Sequence, residues 1–334
     1  MDTTVHNPAA AFANVRAGSF EVKPEEIQYF DKIGEGAMAE IYRARMRNLD
    51  CAAKKLKHTA GVQSQAYKDL VMELDVLTTV GKHQNLVEFY GACVEDPTNP
   101  VILEEFVEGP NLEHYLEKRG PGFNLGRTTV YRYFRLVMKY SMSPLVGYKW
   151  EALIFFTSWS LDIVRALDHL HNRNPIIMHR DLKPANMMLT KDLNTLKLAD
   201  FGMSKKLYHE QRMQMAHKGH TGTLRYMAPE VVAQKTSNYT EKADIYSASL
   251  VIWYLLSGRK PDIDIRQNSL LRPDLTIAKS RWPQLSELIQ DMWSHQPEKR
   301  PSAGECVHRF LNFDDIPDLS HGAAPTSGGC CSIQ

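Results

Sequence analysis

Three oxygen-bearing side chains stand in two short segments in the middle of the chain. Asp181 and Asn186 lie in MHRDLKPANMML (178–189), and Asp200 lies in LADFG (198–202). Apolar runs typical of short strands flank these residues, so we expect their side chains on loops. Carboxylate and amide oxygens suit Mg²⁺ when the ion also shares phosphate oxygens. The pattern therefore indicates a site for a divalent metal and a phosphate group.

A second stretch, KIGEGAMAEIY (32–42), contains most of a glycine-rich phosphate loop. Gly34 and Gly36 occupy the first two positions of G-x-G-x-x-G, and Ala39 occupies the third. The pattern alone is weak, because two neighbouring glycines are usually just a turn. A strand with Lys54 follows it rather than a crossover helix, which argues against a dinucleotide-binding fingerprint. We expect a working phosphate loop whose backbone an alanine tolerates.

The two stretches belong to an ordered series of motifs that resembles the protein kinases. The series comprises the glycine loop, CAAK (51–54), Glu73, His179-Arg180-Asp181, Asn186, Asp200-Phe201-Gly202 and APE (228–230). Its core resembles the catalytic loop H-R-D-x-x-x-x-N and D-F-G of that family. The resemblance covers roughly 20–313, and it implies ATP, Mg²⁺ and protein substrates.

The resemblance assigns roles to single residues. Lys54 would hold the α- and β-phosphates of ATP and pair with Glu73, unless a slip of one residue gave that role to Lys55. Asp181 would act as the base or orienting group for the substrate hydroxyl, with Lys183 near the transferred phosphate. The magnesium ligands would be Asn186 and Asp200. Asp244 would anchor the catalytic loop, and Arg300 would pair with Glu230.

The resemblance also outlines the nucleotide pocket. Adenine would bond to the backbone at Glu105 and Val107, and the other pocket residues would be Ile33, Gly34, Gly36, Ile41 and Ala52. Glu104 departs from the family, which usually has an apolar residue or threonine at the back of this pocket. A buried carboxylate is costly unless it is paired. Either Glu104 is satisfied locally, or the alignment is displaced by one residue.

The sequence indicates less directly whether the substrate residue is serine, threonine or tyrosine. Lys183 and Thr223, in HRDLKPAN and GTLRYMAPE, resemble serine/threonine kinases, whereas DLVMELDVLTTVGKHQNLVEFYGACVED resembles receptor tyrosine kinases. A serine/threonine kinase of the tyrosine-kinase-like group fits both. The alternatives are a tyrosine or dual-specificity kinase and a catalytically silent scaffold. Thr221 is the preferred activation site, where Arg180 could meet a phosphate, and Thr223 is the more natural substrate-platform contact.

The hydrophobic pattern predicts an α+β fold in two lobes. Residues 1–19 are expected to form a disordered leader, 20–107 a β-rich lobe with one helix around YKDLVMELDVLTTV, and 108–313 a mainly helical lobe. The second lobe should contain an amphipathic helix at 151–172 and a buried helix in DIYSASLVIWYLLSG. An insertion at about 119–150 has six Lys/Arg, four Tyr and no acidic residue. It is interpreted as a solvated insertion rather than a membrane- or partner-binding patch.

Composition excludes several classes of protein. A net charge of +1 gives no reason to expect nucleic acid, and five scattered cysteines favour a reducing, cytosolic setting. The start lacks a secretion signal, and no apolar run reaches membrane-spanning length. The flexible tail 314–334 ends in a C-a-a-X pattern at Cys331, which predicts farnesylation, with palmitoylated Cys330 as second anchor. Such lipids would attach the protein to the cytoplasmic face of a membrane; the alternative is a chance terminus.

Overall fold

The first lobe is built on a five-stranded antiparallel sheet. The computed structural model describes residues 8–36, 39–57, 63–118, 147–208, 224–232, 239–261, 275, 279 and 282–313. The strands are β1 Ile27–Glu35, β2 Ala39–Met46, β3 Leu49–Leu56, β4 Phe89–Cys93 and β5 Val101–Glu105. They run in the order β1-β2-β3-β5-β4. Arg47 and Asn48 join β2 to β3 with φ of 47° and 74°, the left-handed pair that a tight hairpin turn requires.

One helix of this lobe, α2 (Gln65–Val80), packs against the sheet and carries the predicted apolar face. Its N-terminus is capped by Ser64, whose hydroxyl accepts a hydrogen bond from the Tyr67 amide at 3.1 Å. Its C-terminus meets Gly81, which has a φ of 74°. The predicted face is confirmed, since its members are all buried: Leu70, Leu74, Leu77 and Val80.

The disordered leader was a wrong prediction for part of its length. Residues Pro8–Ala17 form helix α1, which packs along α2 and buries Ala11, Phe12 and Val15. The segment is short, rich in alanine and weakly amphipathic, so its composition resembles that of an unstructured arm. Its order comes from a tertiary partner rather than from helix propensity, as is usual for helices this short.

The second lobe is mainly helical. Its described helices are α3 Leu112–Lys118, α4 Gly147–His171, α5 Pro229–Val232, α6 Lys242–Ser257, α7 Pro283–Met292 and α8 Ala303–Leu311. The predicted stripe on α4 is confirmed, with Trp159, Ile163, Ala166 and Leu170 all buried, although the helix begins at Gly147 rather than 151. The predicted buried helix is confirmed as α6, which is apolar on nearly every face.

Two short antiparallel ribbons lie in this lobe, and the loops that connect their strands carry Asp181 and Asp200. The strands are β6 Ile176–Met178, β7 Met187–Leu189, β8 Leu196–Leu198 and β9 Lys205–Leu207, paired β6 with β9 and β7 with β8. The predicted two-lobed α+β fold is confirmed. None of the described helices is both long and apolar enough to cross a membrane.

Candidate active site

Lys54 projects from β3 into an ion pair with Glu73 of α2. Its Nζ lies 2.7 and 2.8 Å from the two carboxylate oxygens, and the Glu73 side chain is only 2% exposed. A third contact, of 3.3 Å, joins Lys54 Nζ to Asp200 Oδ1. Burial by itself would lower the pKa of Lys54, but the surrounding carboxylates of Glu73, Asp200 and Glu104 outweigh it and raise that pKa. The site therefore holds a fixed ammonium group between the two lobes.

The alternation of β3 separates Lys54 from its neighbour. The ammonium of Lys55 lies over the rings of Tyr42 and Tyr29, at 5.1 and 5.7 Å from their centroids. Successive side chains of a strand point to opposite faces, so only one of the two lysines can face α2. That residue is Lys54, and the one-residue slip considered from the sequence does not occur.

Asp181 is the buried centre of a small polar cluster. Lys183 Nζ donates to Asp181 Oδ2 at 2.6 Å, and Asn186 Nδ2 donates to the same oxygen at 3.1 Å and to the Asp181 carbonyl at 2.9 Å. The 3₁₀ turn Pro184–Asn186 folds the chain back so that all three side chains meet. The residues that the sequence singled out as catalytic are thus brought together.

The backbone of this catalytic loop is fixed from below by Asp244 of α6. Its two carboxylate oxygens accept hydrogen bonds from the amides of His179 and Arg180 at 2.9 and 2.8 Å, so the expected anchor is present. Arg180 has a φ of 70°, a left-handed conformation that needs such support. Burial would raise the pKa of Asp244, but hydrogen bonding to His171 and to the Arg180 amide lowers it overall.

His171 is a residue that the sequence analysis missed. Its Nε2 lies 3.0 Å from Asp244 Oδ2, at the last position of α4. No motif marks it, because its partner comes from another helix. It supplies a further contact to the carboxylate that anchors the catalytic loop.

The β7–β8 hairpin places Asn186 and Asp200 side by side. Asn186 precedes β7, Asp200 follows β8 by two residues, and the Ala199 amide donates to the Asn186 carbonyl at 2.9 Å. Burial would raise the pKa of Asp200, but the adjacent Lys54 ammonium lowers it below its usual value. The Asp200 side chain remains 47% exposed. An ionised carboxylate open to the cleft is thus available to a cation.

The glycine-rich segment forms the turn between β1 and β2, of which residues 37–38 lie outside the described structure. The Gly36 amide donates to the Ala39 carbonyl at 2.8 Å. Ala39 opens β2, paired with Leu56, and it is absent from the residues with positive φ. The missing third glycine therefore imposes no backbone strain.

The proposed adenine contacts lie at the end of β5. The Glu105 amide donates to the Glu88 carbonyl at 2.8 Å, and its carboxylate binds Lys197 at 2.8 Å. Gly34 pairs with Ile41 across the β1–β2 ribbon, and Ala52 pairs with Glu104 across β3 and β5. Ile33 is 46% exposed, whereas the side chains of Ile41, Ala52 and Val107 are partly buried. Strands β1, β2, β3 and β5 thus supply Ile33, Gly34, Ile41, Ala52 and Glu105, whereas Gly36 follows β1 and Val107 follows β5.

Glu104 lies at the back of this pocket with one oxygen of its carboxyl group unsatisfied in the part of the chain that the structure describes. Its Oε1 is buried and has no hydrogen-bond partner among the described residues. Burial, followed by repulsion from Glu73, raises the pKa of Glu104 to about 8. One expectation from the sequence was that a local partner satisfies Glu104. For this oxygen that expectation is wrong. The raised pKa favours the protonated form of this carboxyl group instead.

The remaining predicted sites cannot be located. Thr221, Thr223, Cys330 and Cys331 lie outside the described residues, as do 119–146 of the predicted insertion and the tail 314–334.

Comparison with known proteins agrees with this geometry. The family model described as "Protein kinase domain" matches residues 27–311. The chain belongs to the protein kinase family. The match includes every residue described above as part of the kinase site, from Ile33 to Asp244.

Individual protein kinases share about 30% sequence identity with this chain. Serine/threonine-protein kinase VIK of Arabidopsis thaliana is 30% identical over 92% of this chain and 65% of its own length. Serine/threonine-protein kinase STY46 of the same plant is 29% identical over 87% of this chain and 45% of its own. Dual specificity protein kinase shkC of Dictyostelium discoideum is 28% identical over 89% and 53%. The chain thus spans about half to two thirds of the length of these relatives.

Proposed function

We propose that this kinase transfers the γ-phosphoryl group of Mg-ATP to serine or threonine hydroxyls of protein substrates. The observation that carries the proposal is the buried Asp181 carboxylate, held by Lys183 and Asn186 on a loop that Asp244 fixes. Phosphoryl transfer needs little covalent chemistry from the protein. It depends on positioning and on charges placed before the reaction begins.

Lys54 is the residue proposed to hold the α- and β-phosphates of ATP. Its ammonium is charged and fixed by Glu73, so no side chain has to be reordered when an anion arrives. The adenine would rest against Ile33, Ile41 and Ala52 and bond to the backbone at Glu105 and Val107. The Glu105 carboxylate is held by Lys197 and the Glu105 amide by the Glu88 carbonyl, so that position would offer its backbone carbonyl to adenine.

The donor set near Asp200 fits Mg²⁺. Asp200 is ionised and exposed to the cleft, and Asn186 has its Nδ2 engaged by Asp181, which leaves the amide oxygen as its metal-binding atom. Bound there, the ion would neutralise charge on the phosphates. Hard oxygen ligands and an open carboxylate are what such an ion requires.

Asp181 is proposed to orient the substrate hydroxyl and accept its proton. Lys183, 2.6 Å from this carboxylate, stands beside the same reaction centre and would stabilise negative charge on the transferred group. The serine/threonine choice is supported by Lys183 and by the names of VIK and STY46. The name of shkC supports dual specificity as the second candidate.

The test is phosphate transfer from radiolabelled ATP to a mixed peptide array, followed by phosphoamino-acid analysis. Wild type should label serine and threonine, and Asp181→Asn should lower the rate by at least a thousandfold, roughly 4 kcal/mol of barrier. Asp192→Asn is the matched control, since Asp192 lies in an exposed turn with Thr190 and Asn194. Labelling of tyrosine alone would overturn the specificity, and equal inactivity of wild type and Asp181→Asn would indicate a scaffold.

A further inference from the structure

We propose that helix α1 is a positioning element of the active site, which holds α2 in the orientation that brings Glu73 to Lys54. Phe12 and Val15 are its main contacts, 5% and 0% exposed. The kinetic part of this inference rests on the proposed function. The structural part, that α1 sets the orientation of α2, can be tested independently.

The C-terminal end of α1 is tied to the sheet. After Ala17 the chain turns through Ser19, which has a φ of 59°, and the Phe20 amide donates back to the Val15 carbonyl at 3.0 Å. This bond closes the helix end in the manner of a left-handed cap. It reverses the chain direction, so that the next residues run to the edge of the sheet.

Residues 20–22 then extend the sheet beyond β4. The Phe20 carbonyl accepts from the Ala92 amide at 2.8 Å, and the Val22 amide donates to the Ala92 carbonyl at 3.0 Å. The Phe20 and Phe89 rings also pack, with centroids 5.2 Å apart. The helix is consequently fixed to the sheet at one end while its apolar side packs on α2.

The contact with α2 lies close to the catalytic ion pair. Asn14 Nδ2 of α1 donates to Asp75 Oδ1 of α2 at 3.2 Å, and Asp75 Oδ2 pairs with Lys206 of β9 at 2.9 Å. Asp75 is only two residues beyond Glu73, and Lys206 lies four residues beyond Gly202, near the start of the segment that follows Asp200-Phe201-Gly202. A single stretch of α2 therefore joins α1, the catalytic lysine and the start of that segment.

The geometry of α2 makes its orientation matter. Successive residues of a helix are rotated by about 100°, since one turn takes 3.6 residues. A modest roll of α2 would move the Glu73 carboxylate away from Lys54, whose contacts are 2.7 and 2.8 Å. Because α1 covers apolar surface of α2, rolling would expose Phe12 and Val15 to water. The buried side of α1 thus favours the paired state.

The first test compares two matched truncations in the full chain. Phe12→Ala should lower kcat about tenfold, while Phe310→Ala, at an equally buried phenylalanine of α8 (2% exposed), should leave the kcat of the folded fraction within about twofold. Phe12→Leu should restore most of the rate. Val15→Ala, a smaller truncation of the same contact at a residue that is 0% exposed, should lower kcat in the same direction and replaces Phe12→Ala if that variant fails to fold. Equal losses in Phe12→Ala and Phe310→Ala would reduce α1 to a general stabiliser and overturn the proposal.

The second test asks whether α1 acts through the ion pair. In a Glu73→Gln background, Phe12→Ala should cause no further loss of kcat, although the effects of the two changes on unfolding should add. A full additional tenfold loss would contradict action through Glu73. Ala13→Gln, at an exposed position of α1, should leave both backgrounds unchanged.

The third test does not depend on catalysis. Hydrogen exchange of the α2 amides (65–80) should quicken at least tenfold in Phe12→Ala, while exchange in α6 (242–257) changes much less. Unchanged exchange in α2 would overturn the proposal even if the protein is an active kinase. Conversely, faster exchange in an enzyme that transfers no phosphate would uphold α1 as the element that holds α2 and would count only against the proposed function.

Discussion

Arg300 donates two parallel hydrogen bonds to Glu230, at 2.6 and 2.8 Å, from a side chain with no exposed surface. This pair, expected from the sequence, joins α5 to the turn before α8. Removing one member leaves the other charge buried and unpaired, which is far costlier than losing an exposed pair.

Arg300→Lys should therefore destabilise the protein by about 3 kcal/mol, because an ammonium cannot reproduce the two parallel bonds. Urea unfolding measures the loss. The matched control is Arg47→Lys, which alters an exposed two-bond pair with Glu26 and should shift the midpoint very little. Similar losses in the two variants would contradict the importance of burial.

Glu104 predicts an unusual dependence of stability on pH. Its pKa is raised to about 8 in the folded protein, from an ordinary value of 4.5. Between these two values the folded state keeps a proton that the unfolded chain has released, so the free energy of unfolding should fall as pH rises. Glu104→Gln should remove about 1 to 3 kcal/mol of this fall between pH 6 and 8, measured by urea unfolding.

The comparison that decides the point is the difference between the two unfolding curves at each pH. Wild type and Glu104→Gln should differ least below about pH 4.5 and separate progressively as the pH rises to about 8. Parallel curves across this range would mean that the pKa of Glu104 is the same in the folded and unfolded states.

Asp200→Asn should uncouple nucleotide binding from magnesium. In wild type, adding Mg²⁺ should tighten binding of a non-hydrolysable ATP analogue, because the ionised Asp200 carboxylate is open to the cleft. The amide should reduce that gain by roughly tenfold or more while leaving metal-free binding within about threefold. Titration calorimetry with and without the metal provides the measurement. An undiminished gain in the variant would place the ion elsewhere.

Ala39→Gly should leave the affinity for ATP nearly unchanged. Ala39 is a strand residue paired with Leu56 and has no positive φ, so glycine relieves no strain there. The extra backbone freedom should instead cost about 0.5–1 kcal/mol of stability. An ATP titration and a thermal melt give the two values. A gain in affinity well beyond tenfold would show that alanine impairs the loop.

The main elements of both lobes were predictable because their patterns are local. Two helices are predicted by local periodicity alone, without reference to the rest of the chain. One is α2, with its stripe Leu70, Leu74, Leu77 and Val80, and the other is the nearly all-apolar α6. The order of the motifs likewise identified Lys54, Asp181 and Asp200 as residues of the candidate site. The pairing of Lys54 with Glu73 was inferred from the family resemblance, and the structure has the two side chains 2.7 and 2.8 Å apart.

The failures share one physical cause, which is that a partner distant in the chain decides the outcome. Pro8–Ala17 becomes a helix only because α2 covers Phe12 and Val15. His171 acquires its role from Asp244, and Glu104 its shifted pKa from Glu73 and burial. Neither composition nor periodicity of a single segment contains that information.

Asp244 has a consequence for how the enzyme responds to heat. Its carboxylate belongs to α6, which is buried along most of its length, and yet binds the backbone of the loop that carries Asp181. Many enzymes lose activity at temperatures below their melting point, because their reactive loops loosen first. Here the loop cannot loosen without leaving the buried Asp244 carboxylate of α6 short of its two amide donors, so inactivation and melting of that lobe should coincide.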